Sequence, residues 1–168
     1  MSTTTAVKHI SSPDAEAIIT SYINNHPQGV LTTLDKTGAP QSSVVNLFEL
    51  DNYHRAFMTK KTTRKYKNLQ NNKDVSFLTY DPFSRTEVEI EGVVYGVIDK
   101  SQEEEIIQII ADDARKGRRH ISPYVRDTDD YALFIIYPRK IHMVTYWAHD
   151  KGIEAYHESI EFSLQIKS

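Results

Sequence analysis

The sequence lacks cysteine altogether, and it has only six glycines, six prolines and one tryptophan. Without cysteine the chain can form no disulfide, thiolate nucleophile or cysteine-ligated metal centre. No apolar run approaches the roughly 20 residues of a membrane-spanning helix, and the first residues lack the apolar segment of a secretory signal. We therefore expect a cytoplasmic protein without a membrane partner, and the missing cysteine agrees with a reducing compartment.

An excess of charge of one sign is also missing, because 20 Lys and Arg stand against 23 Asp and Glu, for a formal net charge of −3. Such a chain gives no reason to expect a nucleic-acid partner. Its basic residues are nevertheless concentrated at 60–67 and 115–119, and we interpret the second group as a helix end that complements the helix dipole. The length suits one domain, which we assign to 1–168 with a disordered tail at 1–10.

Local patterns predict three helices and at least seven strands. Ser12 and Pro13 are typical of a helix start, apolar residues at helical spacing follow as far as Ile23, and the segment 24–27 ends the helix. Ser101 and Glu104 have the spacing of a capping box, which predicts another amphipathic helix after them. The third helix is short and basic; it begins after the threonines 62–63 and is closed by 71–73. The strand candidates are 29–34, 41–50, 55–58, 75–80, 86–99, 132–137 and 141–147, with a further edge strand at 160–166.

The order of these elements indicates the fold class. Runs of strands joined by tight turns favour antiparallel pairing over parallel βαβ units. Gly92 and Gly96 are expected to mark bulges or bends that curl the sheet. We predict a mainly β (α+β) protein, a small antiparallel barrel of six to seven strands with peripheral helices.

The segment from Met58 to Leu69 has the clearest chemical pattern. It leaves an apolar strand, passes through threonines and enters a helix that carries Arg64, Lys65 and Lys67. A threonine hydroxyl can cap a helix start, whose free N–H groups and dipole attract anions. Arg and Lys supply a planar fork and a point charge for phosphate oxygens. The pattern predicts a phosphate-bearing ligand here, with a solvated basic helix face as the alternative.

These features, in this order, resemble the pyridoxamine 5′-phosphate oxidase-like family of FMN-binding split β-barrels. The resemblance covers roughly residues 14–100 and includes the family's first hairpin, its phosphate segment and its next two strands. The residues that carry it are 29–34 with Gly38 and Pro40; Thr59, then Thr63-Arg64-Lys65 with Leu69 and Asn72; and the strands at 75–78 and 88–92.

The resemblance implies a split β-barrel homodimer with FMN at the subunit interface. It implies that Arg64 and Lys65 hold the FMN phosphate. It places Thr59 and Thr63 beside that phosphate and Trp147 near the flavin. The other cofactor-binding positions that it implies are Thr32, Thr33, Ser43, Val44, Asn46 and Met58.

The sequence departs from the family in three places. Lys73 stands where Pro often follows the Asn, and Glu87 stands where the oxidases proper carry Gln. A carboxylate cannot donate a hydrogen bond unless it is protonated, so Glu87 is a poor match for that cofactor contact. The C-terminal Arg-x-His substrate motif of those oxidases has no counterpart. The chain therefore looks closer to short, general-stress-type members than to a true pyridoxamine phosphate oxidase.

The leading functional hypothesis is an FMN-dependent oxidoreductase with an undefined substrate. The alternatives are a binding protein that holds FMN or another phosphate ligand without turnover, and a haem-binding relative of the fold. His142, His149 and His157 match no metal-site spacing, so we expect no metal. The apolar strands 44–48 and 133–137 offer more apolar surface than one small barrel needs, which also favours a dimer.

Overall fold

The computed structural model describes residues 7–8, 12–50, 53–115, 130–149 and 152–161, with side chains for 15–50, 53–115 and 130–146. The helices in these ranges are α1 (Ser12–Asn25), α2 (Arg64–Asn71) and α3 (Lys100–Arg115). The strands are β1 (Val7–Lys8), β2 (Gln28–Leu34), β3 (Pro40–Asn46), β4 (Phe48–Glu49), β5 (Arg55–Lys60), β6 (Asp74–Asp81), β7 (Thr86–Gly96), β8 (Tyr131–His149) and β9 (Gly152–Glu161).

The described strands form one curled sheet in the order β1-β9-β8-β7-β6-β2-β3, with β5 beside β8. Every pair is antiparallel except β1 with β9. Strand β3 pairs with β2, whereas β4, one residue further along the chain, pairs with β5. This change of partner after Leu47 turns the sheet back toward β5. The fold is the mainly β, antiparallel split barrel with peripheral helices that the sequence predicts.

The barrel interior is filled by alternate residues of the strands. Leu31, Phe57, Phe77 and Ile90 meet there and are almost fully buried; we call this group the barrel core. Helix α1 closes one side of it because its apolar stripe, which includes Ile19, packs against the same cluster. The predicted amphipathic helix therefore covers the barrel rather than lying apart from it.

A second core lies between α3 and the outside of β5 and β8. Ile106 and Ile110 of α3 pack there against Leu133 and Ile135, while Phe134 and Ile136 face the barrel core. The first part of β8 is thus buried on both faces within a single chain. This arrangement corrects the expectation that the apolar run 133–137 is surplus surface for a dimer.

Pro138 does not interrupt the sheet, although the sequence predicts separate strands at 132–137 and 141–147. The two segments are one strand, β8. The register with β7 shifts between Glu91 and Gly92, so that Gly92 pairs with Pro138. A bulge accommodates proline because one residue of the strand is released from the hydrogen-bond ladder. Glycine suits the opposite position because a Cβ on Gly92 would collide with the carbonyl oxygen of Tyr137. The prediction that Gly92 marks a bulge is confirmed.

Further boundaries differ from the prediction. The predicted strand 86–99 ends at Gly96, and α3 begins at Lys100. There the Asp99 carboxylate, rather than Ser101, accepts from the first turn of α3. The predicted tail contains the two-residue strand β1. The predicted strand 41–50 is divided into β3 and β4. The last strand runs over Gly152–Glu161 rather than beginning at 160, and residues 162–166 lie outside the described residues. In the part of the chain that the structure describes, no helix is long and apolar enough to cross a membrane.

Candidate functional site

The start of α2 has the geometry of a capped helix. Thr63 is the N-cap residue, with extended backbone angles (φ −76°, ψ 156°), and its Oγ1 accepts from the Tyr66 N–H at 3.3 Å. The same hydroxyl donates to the Lys60 carbonyl oxygen at 2.8 Å. The cap therefore ties the first turn of α2 to the end of β5, and the predicted helix start at these threonines is confirmed.

The hydroxyls of Thr59 and Thr63 both donate hydrogen bonds within the chain. Thr59 Oγ1 lies 3.0 Å from Thr63 Oγ1. Because the single hydroxyl proton of Thr63 goes to Lys60, the Thr59 hydroxyl is the donor of that pair. Neither hydroxyl has a spare proton for an anion in this arrangement, so both threonines shape the site rather than supply its donors.

The two cations of the first turn are placed differently. The Arg64 side chain is exposed, whereas Lys65 is half-buried. Burial, the only cause of the shift, holds the pKa of Lys65 below the ordinary value of 10.5. Of the residues that the structure describes, none forms an ion pair with Lys65. The two adjacent cations differ in exposure because the barrel shields one side of the helix.

The helix start offers further donors. The first N–H groups of a helix have no intrahelical acceptor, and the cap uses that of Tyr66. The N–H groups of Arg64 and Lys65 remain as donors at the same end as the two side-chain cations. Guanidinium, ammonium and free N–H groups together form a donor set that suits the oxygens of a phosphate monoester.

The five predicted strand positions divide between two faces of the sheet. Thr32, Val44 and Asn46 point outward, whereas Thr33 and Ser43 point into the barrel. Successive residues of a strand alternate between faces, so the five side chains cannot line one side of a ring. The outer group is accessible, and Val44 is 61% exposed.

The inner pair is part of a polar cluster under α2. Thr33 is 1% exposed, and its Oγ1 accepts from the Asn68 side chain at 3.0 Å. Asn68 also donates to Gln41 Oε1 at 3.1 Å. The Ser43 Oγ is buried and has no hydrogen-bond partner in the described structure. The sequence reasoning missed Asn68; the available signal was an asparagine, a weak helix former, in the middle of a predicted helix.

Two predicted positions stand apart from the helix start. The Met58 side chain packs against the second core beside α3, on the face of β5 opposite to the buried Thr59. Trp147 lies on β8, with its Cα opposite that of Glu154, and its side chain lies outside the described residues. Glu87 is half-buried on β7, between Tyr80 and Val144 in register. The structure thus brings together only part of the predicted set.

An open groove of about 320 Å³ lies on the outer face beside Thr32. Two ion or hydrogen-bond pairs cross it, Arg139 with Asp74 at 2.8 Å and Ser76 with Glu89 at 2.6 Å. Among the described residues, no group of three or more potential ligands could hold a metal ion. The groove is therefore a feature of the exposed sheet face, separate from the cations of α2.

The fold and the helix start define a split β-barrel protein with a candidate phosphate site. The sequence model of the family described as pyridoxamine 5′-phosphate oxidase matches residues 16–145, well over half of the chain. The chain therefore belongs to the pyridoxamine 5′-phosphate oxidase family, as the sequence resemblance predicts. No match is found among curated proteins.

Solved structures similar to this chain differ in what they bind. A haem-binding protein from Mycobacterium smegmatis has a TM-score of 0.68 and 16% identity, over 90% of this chain and 60% of that one. General Stress Protein 26 from Bacillus anthracis str. Sterne has a TM-score of 0.59 and 22% identity, over 76% of this chain and 92% of that one. A pyridoxamine 5′-phosphate oxidase-related, FMN-binding protein from Nostoc punctiforme PCC 73102 has a TM-score of 0.57 and 14% identity, over 92% of this chain and 100% of that one. At these identities the likenesses establish the fold.

Proposed function

We propose that this protein binds FMN and holds the FMN phosphate at the start of α2. The observation that carries the proposal is Lys65, a half-buried ammonium whose pKa is lowered by burial alone. A buried charge without a partner is unfavourable, and a phosphate dianion would supply the missing partner. Arg64, adjacent in sequence and exposed, would hold the same group from the solvent side.

The residues present fit the phosphate end of FMN. Each charged hydrogen bond to the dianion contributes about 1.5–3 kcal/mol, so two cations can dominate retention of the cofactor. The outward residues Thr32, Val44 and Asn46 would meet the ring, because their side chains are the accessible ones. Thr33 and Ser43 would act from inside, by supporting the strands.

The exposed sheet face favours a homodimer with the cofactor at its interface. Val44, Val30 and Leu78 are cross-strand neighbours on β3, β2 and β6. They are 61%, 39% and 39% exposed, respectively. An apolar row of this kind on an outer face is typical of a surface that another protein covers. We propose that a second copy of the chain covers this row and closes the flavin site from the other side.

The proposed activity is that of a flavin-dependent oxidoreductase. FMN supplies hydride or electron transfer when bound, and the protein supplies position, electrostatics and exclusion of water. In this chain Arg64 and Lys65 would fix the phosphate, and the outer strand residues would orient the ring. A binding protein without turnover would use the same residues and differ only in lacking an electron donor.

Haem binding is the second candidate, because the haem-binding M. smegmatis protein shares the fold over 90% of this chain. That protein is longer, and this chain spans 60% of it. Among the described histidines, His26 is engaged within the chain, where its Nδ1 lies 3.0 Å from the Tyr22 carbonyl oxygen. The candidate site at α2 contains cations and no histidine, which suits a phosphate better than an iron ligand.

The absorption spectrum of the purified protein, reconstituted separately with FMN and with haem, tests the proposal. We expect flavin bands near ~450 nm after gel filtration, one FMN per chain, and bleaching by NAD(P)H if the protein turns over. Retained flavin that no nicotinamide bleaches would favour the binding protein. A Soret band with no retained flavin would overturn FMN as the ligand.

A further inference from the structure

The side chain of Asn68 joins α2 to the β2–β3 hairpin. It is 6% exposed, and its Nδ2 donates to Thr33 Oγ1 at 3.0 Å and to Gln41 Oε1 at 3.1 Å. Both protons of the amide are therefore used, one toward each strand. Asparagine lowers helix stability in a helix interior, so these contacts, and not helix propensity, account for its place in the fold.

The hydrogen bonds continue into the hairpin turn. Gln41 Nε2 lies 3.5 Å from the carboxylate of Asp35, which also accepts from the N–H groups of Thr37 and Ala39. The Thr37 hydroxyl, which donates to the same carboxylate, holds the pKa of Asp35 below its usual value together with these two N–H groups. Asn68 is thus attached to a turn that is itself well ordered by hydrogen bonds.

Asn68 and Leu69 together fix the rotation of α2 about its axis. Successive residues of an α-helix are rotated by about 100° about its axis. Viewed down that axis, Lys65 therefore lies between Asn68 and Leu69, which are three and four residues further on. Leu69 is fully buried in the barrel core. With both neighbours held against the barrel, Lys65 must also face it, whereas Lys67 and Asn71 point to solvent.

We infer that Asn68 is a positioning residue of the proposed phosphate site: by anchoring α2 to Thr33 and Gln41, it sets how Lys65 is presented to the phosphate. The inference rests on the proposed function, since it concerns the same site. Asn68 does not itself touch the ligand. It acts through the rotation of the helix and hence through the position of the Lys65 ammonium.

The test compares Asn68→Leu with Asn71→Leu, an exposed position on the same helix whose amide donates to the Lys67 carbonyl oxygen. For Asn68→Leu we expect the preference for FMN over riboflavin to fall by about tenfold, the size of one weakened charged hydrogen bond. Asn71→Leu should leave the preference unchanged. Thr33→Val removes one acceptor of the Asn68 amide without altering α2, and it replaces Asn68→Leu if that variant does not fold.

A second readout needs no ligand. The pKa of Lys65, followed by NMR in the cofactor-free protein, should rise toward 10.5 in Asn68→Leu and Thr33→Val, because the rotated helix exposes the ammonium. A simple loss of stability without rotation would leave this pKa where it is. An unchanged pKa of Lys65 in both variants would overturn the role of Asn68. Equal affinity of the wild-type protein for FMN and riboflavin would instead overturn the proposed phosphate site, and the inference with it.

Discussion

Removal of the two cations at the start of α2 should abolish most of the selectivity for a phosphorylated flavin. A charged hydrogen bond contributes about 1.5–3 kcal/mol; exposed Arg64 should lie at the lower end and half-buried Lys65 at the upper end. The variant Arg64→Ala with Lys65→Met should therefore weaken FMN binding by about 3–5 kcal/mol, which is 100-fold or more. The affinity for riboflavin, which lacks the phosphate, should barely change.

The single variant Lys65→Met should separate the contribution of Lys65 to binding from its effect on stability. It keeps an apolar stem and removes a half-buried charge that has no described partner. Because burial of an unpaired charge is unfavourable, the cofactor-free variant should melt at a higher temperature than the wild-type protein while it binds FMN more weakly. A gain in stability together with a loss of FMN affinity is expected when a residue serves binding at a cost in stability.

Equilibrium titration with FMN and with riboflavin measures both affinities, and calorimetry measures the melting temperature. Lys67→Met is the matched control, because Lys67 lies on the same helix with its side chain exposed. It should change neither the melting temperature nor the preference for FMN. Unchanged FMN affinity in the double variant, or an equal loss in Lys67→Met, would refute the assignment of the phosphate to this helix start.

Three further predictions concern pH, stability and assembly. The ratio of FMN to riboflavin affinity should fall as the pH rises through the lowered pKa of Lys65, before the ordinary value of 10.5; a ratio that stays flat to that pH would contradict the role of the charge. Tyr22→Phe should lower the free energy of unfolding in urea by about 1–2 kcal/mol, because the Tyr22 hydroxyl donates to the Thr86 carbonyl oxygen at 2.6 Å. Burial raises the pKa of Tyr22 from 10.0 to about 12, so this contribution is complete below pH 10.0 and is lost as the pH rises to about 12; equal stability of the two proteins at neutral pH would be the contrary result. Val44→Lys should shift the protein from dimer to monomer in sedimentation, whereas Ile98→Lys, at an exposed residue between β7 and α3, should not. A dimeric Val44→Lys protein would exclude this face as the interface.

Local chemistry in the sequence was sufficient to predict the barrel and the helix start. Alternation in the strands and the hydroxyl of Thr63 act over a few residues, so they are visible without the fold. The same alternation separates Thr32 from Thr33, and it could have shown that a ring meets only one of them. Pro138 was misleading because its effect depends on a bulge opposite Gly92, which is a partner distant in sequence.

The burial of Lys65 could not be predicted in the same way. Arg64 and Lys65 are equivalent in a sequence pattern, and their difference comes from the rotation of α2. That rotation depends on Asn68 and on its contacts with Thr33 and Gln41, which are 35 and 27 residues away in sequence. Asn68, which makes Arg64 and Lys65 differ in burial, is therefore a residue that belongs to no recognised sequence motif.

A crystal structure of the protein grown with FMN tests the central claim most directly. The proposal predicts the phosphate at the start of α2, within hydrogen-bond distance of the Arg64 guanidinium and the Lys65 ammonium, with the ring against the outer face near Val44. FMN bound with its phosphate elsewhere, such as in the groove beside Arg139, would contradict it.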